Sequence, residues 1–388
     1  MAAVARTRRI DGDSHFSHTI DYEELKSLLP RGQLRQIDDM RWRDAQRFVD
    51  PTAFRVAAGR ERARARSEDP DPQRDPEARI GEMDRLGFDT QVLITQHALP
   101  SPLRPQAEKP LWLRAALAQL YNNAGAALQR KYPDRFICMA TIPWDDIPAS
   151  IKELERARSL GLRAVCIAGS YLDRNLDDYA LYPFWEAVND LGLVCIVHNS
   201  TQGCTIPNTT IIDHSTPYPM VGTERYHRLH IGTYLGFGID YAVACAALTL
   251  GGVLDEFPNL RFLFYEAGAG WMTYAMLGCD RSFFIERACA RTSTQPSELI
   301  KRHCFTAIES LEPIEQMVEA YGSENFFIGT DFPHPEFQFL PNYTTSILDR
   351  ERLTDADKSK ILGGNLARVL GVSPVVEEAA VATPASVS

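Results

Sequence analysis

Asp13, His15, His198, Glu266 and Asp331 are the residues whose types and spacing could do chemistry together. Each offers an imidazole or a carboxylate, the donors that accept Zn, Mn or Fe. Asp13 and His15 stand two apart, so on an extended chain both side chains point to one side and can grip a single ion. His198 closes the apolar run Val194–Val197, Glu266 closes Phe262–Tyr265, and Asp331 follows Phe327–Thr330. Taken alone, His198 reads as a satisfied core histidine, Glu266 as the partner of an Arg, and Asp331 as a turn or helix cap before proline. Their joint occurrence favours a cation, because a carboxylate left unpaired at such a place is costly. The chemistry within reach is metal-assisted hydrolysis or a related lyase reaction, which needs an activated water and a proton acceptor.

Residues so far apart in the chain meet only if the elements carrying them share an axis. Short apolar runs rich in β-branched residues recur at Arg9–Asp13, Thr90–Thr95, Phe136–Ile142, Ala164–Ala168, Val194–His198, Arg261–Glu266, Phe305–Glu309 and Phe326–Gly329. Continuous apolar runs suit parallel strands covered on both faces. Between them lie helical patterns at Ala115–Lys131, Ile151–Leu160, Pro183–Leu191, Ala242–Phe257 and Pro313–Tyr321, with apolar residues at three- and four-residue spacing. Turns such as Tyr132-Pro133-Asp134 and Phe257-Pro258-Asn259 end helices just before strands. Right-handed βαβ repetition of this kind predicts an α/β protein, a (β/α)8 TIM barrel, over residues 8–370.

Two insertions, residues 19–76 after the first strand and 199–237 after the fifth, exceed ordinary loops and leave the carboxyl ends of strands, where barrel active sites form. The first holds the Arg-rich helical stretch Asp39–Arg66 and the connector SEDPDPQRDP; the second carries Tyr218, Tyr226, His227, His230, Tyr234 and Phe237. Both read as a cap or pocket wall, with a docked surface insertion as the plainer alternative. The tail, 373–388, lacks periodicity and is expected to be disordered.

With 388 residues, 45% of them apolar, the chain can bury a large core. Its net charge of −10 has acidic residues spread throughout, which argues against a nucleic-acid or anionic-membrane partner. The basic start MAAVARTRR is not followed by an apolar stretch, so a cytoplasmic location is expected. No run approaches the roughly 18 apolar residues of a membrane span. Eight cysteines form no CxxC pair, and Cys138, Cys166, Cys195 and Cys304 read as core thiols. Arg55, Arg60 and Arg62 could grip a carboxylate but look like a solvated helix face. A small-molecule substrate and a homodimer are expected.

The elements DGDSHF, IVHNS, GGVLDEFPNLRFLFYEAGAGWM and GTDFPHPE resemble the amidohydrolase-related family, over roughly residues 8–370. That branch of the amidohydrolase superfamily includes aminocarboxymuconate-semialdehyde and aromatic acid decarboxylases. The resemblance implies that Asp13, His15, His198 and Asp331 bind a divalent metal and that Asp331 shuttles a proton. It also draws His230, near a position where relatives carry an active-site histidine, into the catalytic set with Asp331 and Glu266. His334, just past Pro333, is placed to buttress Asp331. Decarboxylating relatives use a histidine where this chain has Glu266, and Asp13 stands where many have His or Glu. The result is a carboxylate-richer site that could hold one or two ions. Two functions follow: a metal-dependent hydrolase or lyase acting on a small organic acid, amide or ester, and a non-haem diiron monooxygenase hydroxylating a bulky apolar natural-product intermediate. His18, His97, His214, His227 and His303 are expected at the surface or in the pocket.

Overall fold

Alternation along short apolar strands decides this architecture. A computed structural model of the protein describes residues 4–18, 22–39, 70–95, 110–171, 174–198, 235–334 and 343–378. The chain enters through β1 (Val4–Thr7), β2 (Ile10–Phe16), α1 (Tyr22–Ser27), α2 (Arg31–Asp39) and α3 (Pro76–Leu86). It continues as β3 (Thr90–Thr95), α4 (Leu111–Lys131), β4 (Phe136–Cys138), α5 (Ile147–Ser159), β5 (Ala164–Ile167), α6 (Tyr182–Leu191) and β6 (Val194–Val197). After the second insertion come α7 (Phe237–Leu250), α8 (Val253–Glu256), β7 (Arg261–Phe264), α9 (Gly270–Ile285), α10 (Pro296–His303), β8 (Cys304–Ile308), α11 (Ile314–Tyr321) and β9 (Phe326–Ile328). The chain closes with α12 (Tyr343–Leu348), α13 (Asp355–Ser359), α14 (Asn365–Leu370) and β10 (Val375–Glu378).

Strands β2 to β4 form one parallel ladder and β5 to β9 another. Single bridges join them at both seams, Ala140 to Val165 and Ser14 to Phe332. Hydrogen bonds hold each seam: Ala140 N to Ala164 O at 2.7 Å, His15 N to Phe332 O at 2.7 Å and Asp331 N to Asp13 O at 2.8 Å. The core separates accordingly. Val92, Ile94, Ile137, Met139, Cys166, Ile196, Leu263, Tyr265 and Phe327 fill one cluster. Their strand neighbours Leu93, Cys138, Val165, Ile167, Cys195, Val197, Phe264 and Ile328 fill a second, together with the helices. Period-two side chains produce this division when strands encircle an interior, and the fold is a (β/α)8 barrel.

Local chemistry sets the helix ends. Asp75 and Asp146 accept from the third residue onward, Ala78 N and Ala149 N, at 2.8 Å each, with a proline in the first helical turn. Gly87 and Gly192, in left-handed conformation, end α3 and α6. The helix expected over Ala242–Phe257 is two, α7 and α8, because Gly252 turns with φ of 82°. α7 also starts earlier, and β4 stops at Cys138, short of Ile142.

The expected disorder of the tail is corrected at its start. Val375–Glu378 pair antiparallel with Val4–Thr7, since β-branched residues near both ends find each other's backbone; the chain therefore folds past residue 370, and residues 379–388 lie outside the described residues. Leu366, Ala367 and Leu370 of α14 close the amino-terminal end of the interior. From the first insertion, Leu25 and Leu29 pack on Leu113, Leu117 and Tyr121 of α4. Residues 40–69, which include most of the Asp39–Arg66 stretch with Arg55, Arg60 and Arg62, and 199–234 lie outside the described residues.

Candidate metal centre

Asp13 and His15 sit on β2, whose register against β3 slips between Asp11 and Ser14. His198 follows β6 directly and donates its backbone N–H to Ile167 O at 3.0 Å. Glu266 and Asp331 lie just past β7 and β9, and both adopt positive φ, 59° and 53°. For a residue with a side chain this conformation costs on the order of 1–2 kcal/mol, so the surroundings must hold it. Behind Glu266, Glu312 accepts from Ala269 N at 2.8 Å, Gly270 N at 3.1 Å and Glu309 N at 2.8 Å. Thr306 donates its hydroxyl to Gly268 O at 2.8 Å. Beside Asp331, the buried Asp11 accepts from Thr330 N at 2.9 Å, Thr330 Oγ1 at 2.7 Å and Gln91 Nε2 at 2.8 Å. Gly329 lets β9 approach β2, for a Cβ there would lie 2.7 Å from the Cβ of Asp13.

These ends converge. His15 Nε2 is 3.0 Å from Asp331 Oδ1 and 3.7 Å from Glu266 Oε1, and His198 Nε2 is 3.4 Å from Glu266 Oε1. His334 Nδ1 reaches both Asp331 oxygens at 2.7 and 2.8 Å, and lies 3.5 Å from Glu266 Oε1. Two groups of donor atoms, each within 4.8 Å of one another, share His15: Asp13, His15 and His198, and His15, Glu266, Asp331 and His334.

Crowding of like charges and removal from water shape the protonation. Burial, then Asp331, push the Asp13 carboxyl well up. Burial, then Glu266, do the same to Asp331. Burial lowers His15 to about 3, helped by His334. Burial opposes charge on His198, yet Glu266 and then Asp13 lift it to about 9. Burial likewise opposes charge on His334 and on Glu266, but Asp331 raises the imidazole and His198 lowers the carboxyl. Asp13 Oδ1 and both ring nitrogens of His15 are buried without a hydrogen bond among the described residues. Donors of this kind, left unsatisfied in a carboxylate-rich cluster, suit a divalent metal.

Of the residues singled out in the sequence, Asp13, His15, His198, Glu266, Asp331 and His334 come together. His230 lies outside the described residues, as do His97, His214 and His227. His303 ends α10 at the opposite mouth of the barrel, and His18 packs on Phe16, ring centres 5.1 Å apart. Sequence reasoning missed the supporting residues Asp11, Gln91, Thr330 and Arg79. Arg79 is fully buried, donates to His15 O and Pro72 O, and stacks 4.2 Å over Phe332. A signal was present for Asp11, which stands two residues before Asp13 on a strand and shares its parity.

A family model described as Amidohydrolase matches residues 10–372. The chain belongs to the amidohydrolase family. It is thereby a metal-dependent enzyme, of hydrolase or lyase type. It is 27% identical over 305 residues to 2-amino-3-carboxymuconate-6-semialdehyde decarboxylase of Dictyostelium discoideum, covering 77% of each chain. It is 23% identical over 305 residues to gamma-resorcylate decarboxylase of a Polaromonas species, covering 74% of this chain and 84% of that one. Its fold matches a crystal structure of 5-carboxyvanillate decarboxylase from Novosphingobium aromaticivorans, solved with manganese and 4-hydroxy-3-methoxy-5-nitrobenzoic acid. That match has a TM-score of 0.64 at 21% identity and covers 94% of this chain and 96% of that one.

Proposed function

We propose that this enzyme is a metal-dependent decarboxylase of a small aromatic acid, with Asp13, His15, His198 and Asp331 as metal ligands and Glu266 beside them. The observation that carries this reading is the convergence of those donors at one mouth of the barrel, with Asp13 Oδ1 and His15 Nδ1 buried and without a hydrogen bond among the described residues. The relatives' names, decarboxylases of carboxylated and hydroxylated substrates, support the reaction type. When bound, the divalent metal supplies positive charge that polarises an oxygen of the substrate.

The proton is handled by Asp331 and His334, whose contact at 2.7 Å shares it between carboxyl and imidazole. Glu266, held low, stays ionised beside the ligands; with the cation bound, His198 coordinates as the neutral imidazole. Since Glu266 replaces the histidine of decarboxylating relatives, donation falls to the Asp331–His334 pair. That pair protonates the carbon bearing the carboxylate; the C–C bond then breaks, its electron pair stays with the ring and carbon dioxide leaves. The insertions 19–76 and 199–237 follow β2, which carries Asp13 and His15, and β6 with the adjoining His198, which supports their role as pocket wall; His230 belongs to the second.

A second reading has its own observation. The two donor groups sharing His15, one rich in carboxylate, would also suit a pair of iron ions and oxygen activation on a bulky apolar substrate. One experiment separates them: metal analysis of protein purified with and without oxygen, followed by assays of the manganese-, zinc- and iron-loaded forms. Carbon dioxide release from hydroxybenzoates by a one-metal form, abolished in His334→Asn with metal retained, supports decarboxylation. Two irons per chain with oxygen uptake and no carbon dioxide release overturns it.

A homodimer is part of the proposal. Tyr274, Leu277, Phe284 and Ile285 expose 63–74% of their surface along one side of α9, a stripe suited to a self-complementary contact. Light scattering should give twice the chain mass for the native protein and the chain mass for Leu277→Glu; a monomeric native protein refutes the dimer. Among the described residues no helix is long and apolar enough to cross a membrane. The described cysteines are all unbridged, which supports a cytoplasmic location; a secreted native protein would contradict it.

A further inference from the structure

At the amino-terminal mouth of the barrel, opposite the metal centre, lies a cleft of about 520 Å3 lined by Arg261, Lys301, Arg302, His303 and Arg368. The cations arrive from three elements: the first residue of β7, the last turn of α10 and the last turn of α14. Attraction to the carboxyl end of α10 accounts for Lys301 and Arg302. The carboxyl end of α14 does the same for Arg368, but neither accounts for Arg261, which opens β7 and is repelled by Arg368.

The carboxylates at hand are already engaged. Asp255 accepts from Thr292 and Thr294 hydroxyls and from Ser293 N. Glu324 pairs with Lys360 at 2.6 Å, and Arg302 has Glu298 at 2.8 Å. Arg261 donates only to the Pro258 and Leu260 carbonyls and touches His303 Nδ1 at 3.3 Å. Arg368 donates to Glu324 O at 3.1 Å and Asn365 Oδ1 at 3.4 Å, and lies over Phe305 at 5.4 Å. Among the described residues, then, Arg261, Lys301 and Arg368 have no carboxylate partner. Half-burial and Arg368 make charge on Arg261 harder to hold, lowering its pKa.

We propose that this cleft binds a phosphate-bearing small molecule, with the guanidinium groups of Arg261 and Arg368 gripping the phosphate and Lys301 adding charge. Planar guanidinium forks match the spacing of phosphate oxygens, and a dianion between two like charges turns their repulsion into attraction. The volume falls in the usual range of small-molecule sites and leaves room for an organic portion. The site is independent of the reaction at the other mouth.

Inorganic phosphate is the probe. Calorimetric titration of the full chain, in chloride buffer of matched ionic strength, should show saturable binding and a raised Tm. Binding should survive in His15→Ala, which disables the metal centre, and weaken about tenfold in Arg368→Gln, the effect of losing one charged hydrogen bond. Arg368 is exposed, so that variant keeps the fold; Arg261→Gln serves as the second. Phosphate affinity unchanged in both variants, loss of binding in His15→Ala alone, or an equal effect from added chloride overturns the proposal.

Discussion

Replacing Asp11 by alanine tests whether the metal centre is held from behind. Asp11 is fully buried and takes hydrogen bonds from Thr330 N, Thr330 Oγ1 and Gln91 Nε2 at 2.7–2.9 Å. Asp11 also accepts from the buried Asp13 N–H at 3.3 Å, so alanine leaves three donors, the Thr330 N–H, the Asp13 N–H and the Gln91 amide, without an acceptor, while the Thr330 hydroxyl can rotate. At about 1–3 kcal/mol for each stranded buried donor, the loss comes to about 3–9 kcal/mol. Asparagine retains one oxygen for Thr330 N–H and opposes only the Gln91 amide. Burial already pushes the Asp11 carboxyl up to about 6, so removing its charge gives back part of the loss. The expected cost of Asp11→Asn is about 1–2 kcal/mol. Urea unfolding of chelator-treated protein, read as midpoint shifts at constant slope, measures both. Thr330 precedes Asp331, whose N–H is held by Asp13 O, so metal content after dialysis should fall in the same order. An alanine variant within about 1 kcal/mol of the native protein, below the cost of even one stranded donor, would refute the reasoning; so would asparagine no better than alanine.

Glu312→Ala strands the N–H groups of Ala269, Gly270 and Glu309, which Glu312 now accepts. The expected result is a stability loss of about 2–4 kcal/mol by urea unfolding, together with weaker metal retention as Glu266 loses its support; intact metal binding would separate Glu312 from the site. His303 gives a pH dependence. Burial holds its imidazole below the usual value of 6.5, against a hydrogen bond to Leu260 O. The unfolded chain therefore takes up the proton first, so its stability is complete above pH 6.5 and is lost as pH falls from there toward the folded value. Compared with His303→Asn in phosphate-free buffer, the native Tm should drop more steeply between pH 7 and 5; parallel curves would count against this assignment.

The residues that bear chemistry were legible because their neighbours in sequence made them odd. An imidazole or carboxylate at the end of Val194–Val197 or Phe326–Ile328 stands out against a strand that is otherwise apolar. Strand and helix types were legible for the same local reason, since side-chain period and capping residues act within a few positions. Errors fell where distant segments decide: β10 forms because Val375–Glu378 meet Val4–Thr7, and β4 ends early because its seam with β5 is a single bridge. Asp11 looked like one more strand residue until Thr330 and Gln91 were brought to it from β9 and β3. By itself, the sequence determined which donors exist, on which strands, and which faces those strands bury, because alternation is a local property of an extended chain. Closure of the barrel decided the rest: that the donors share one mouth, that Glu266 and Asp331 are held at positive φ, and that Arg261, Lys301 and Arg368 meet at the other end beside acids already engaged elsewhere. Those outcomes depend on contacts between residues hundreds of positions apart, which no local pattern encodes.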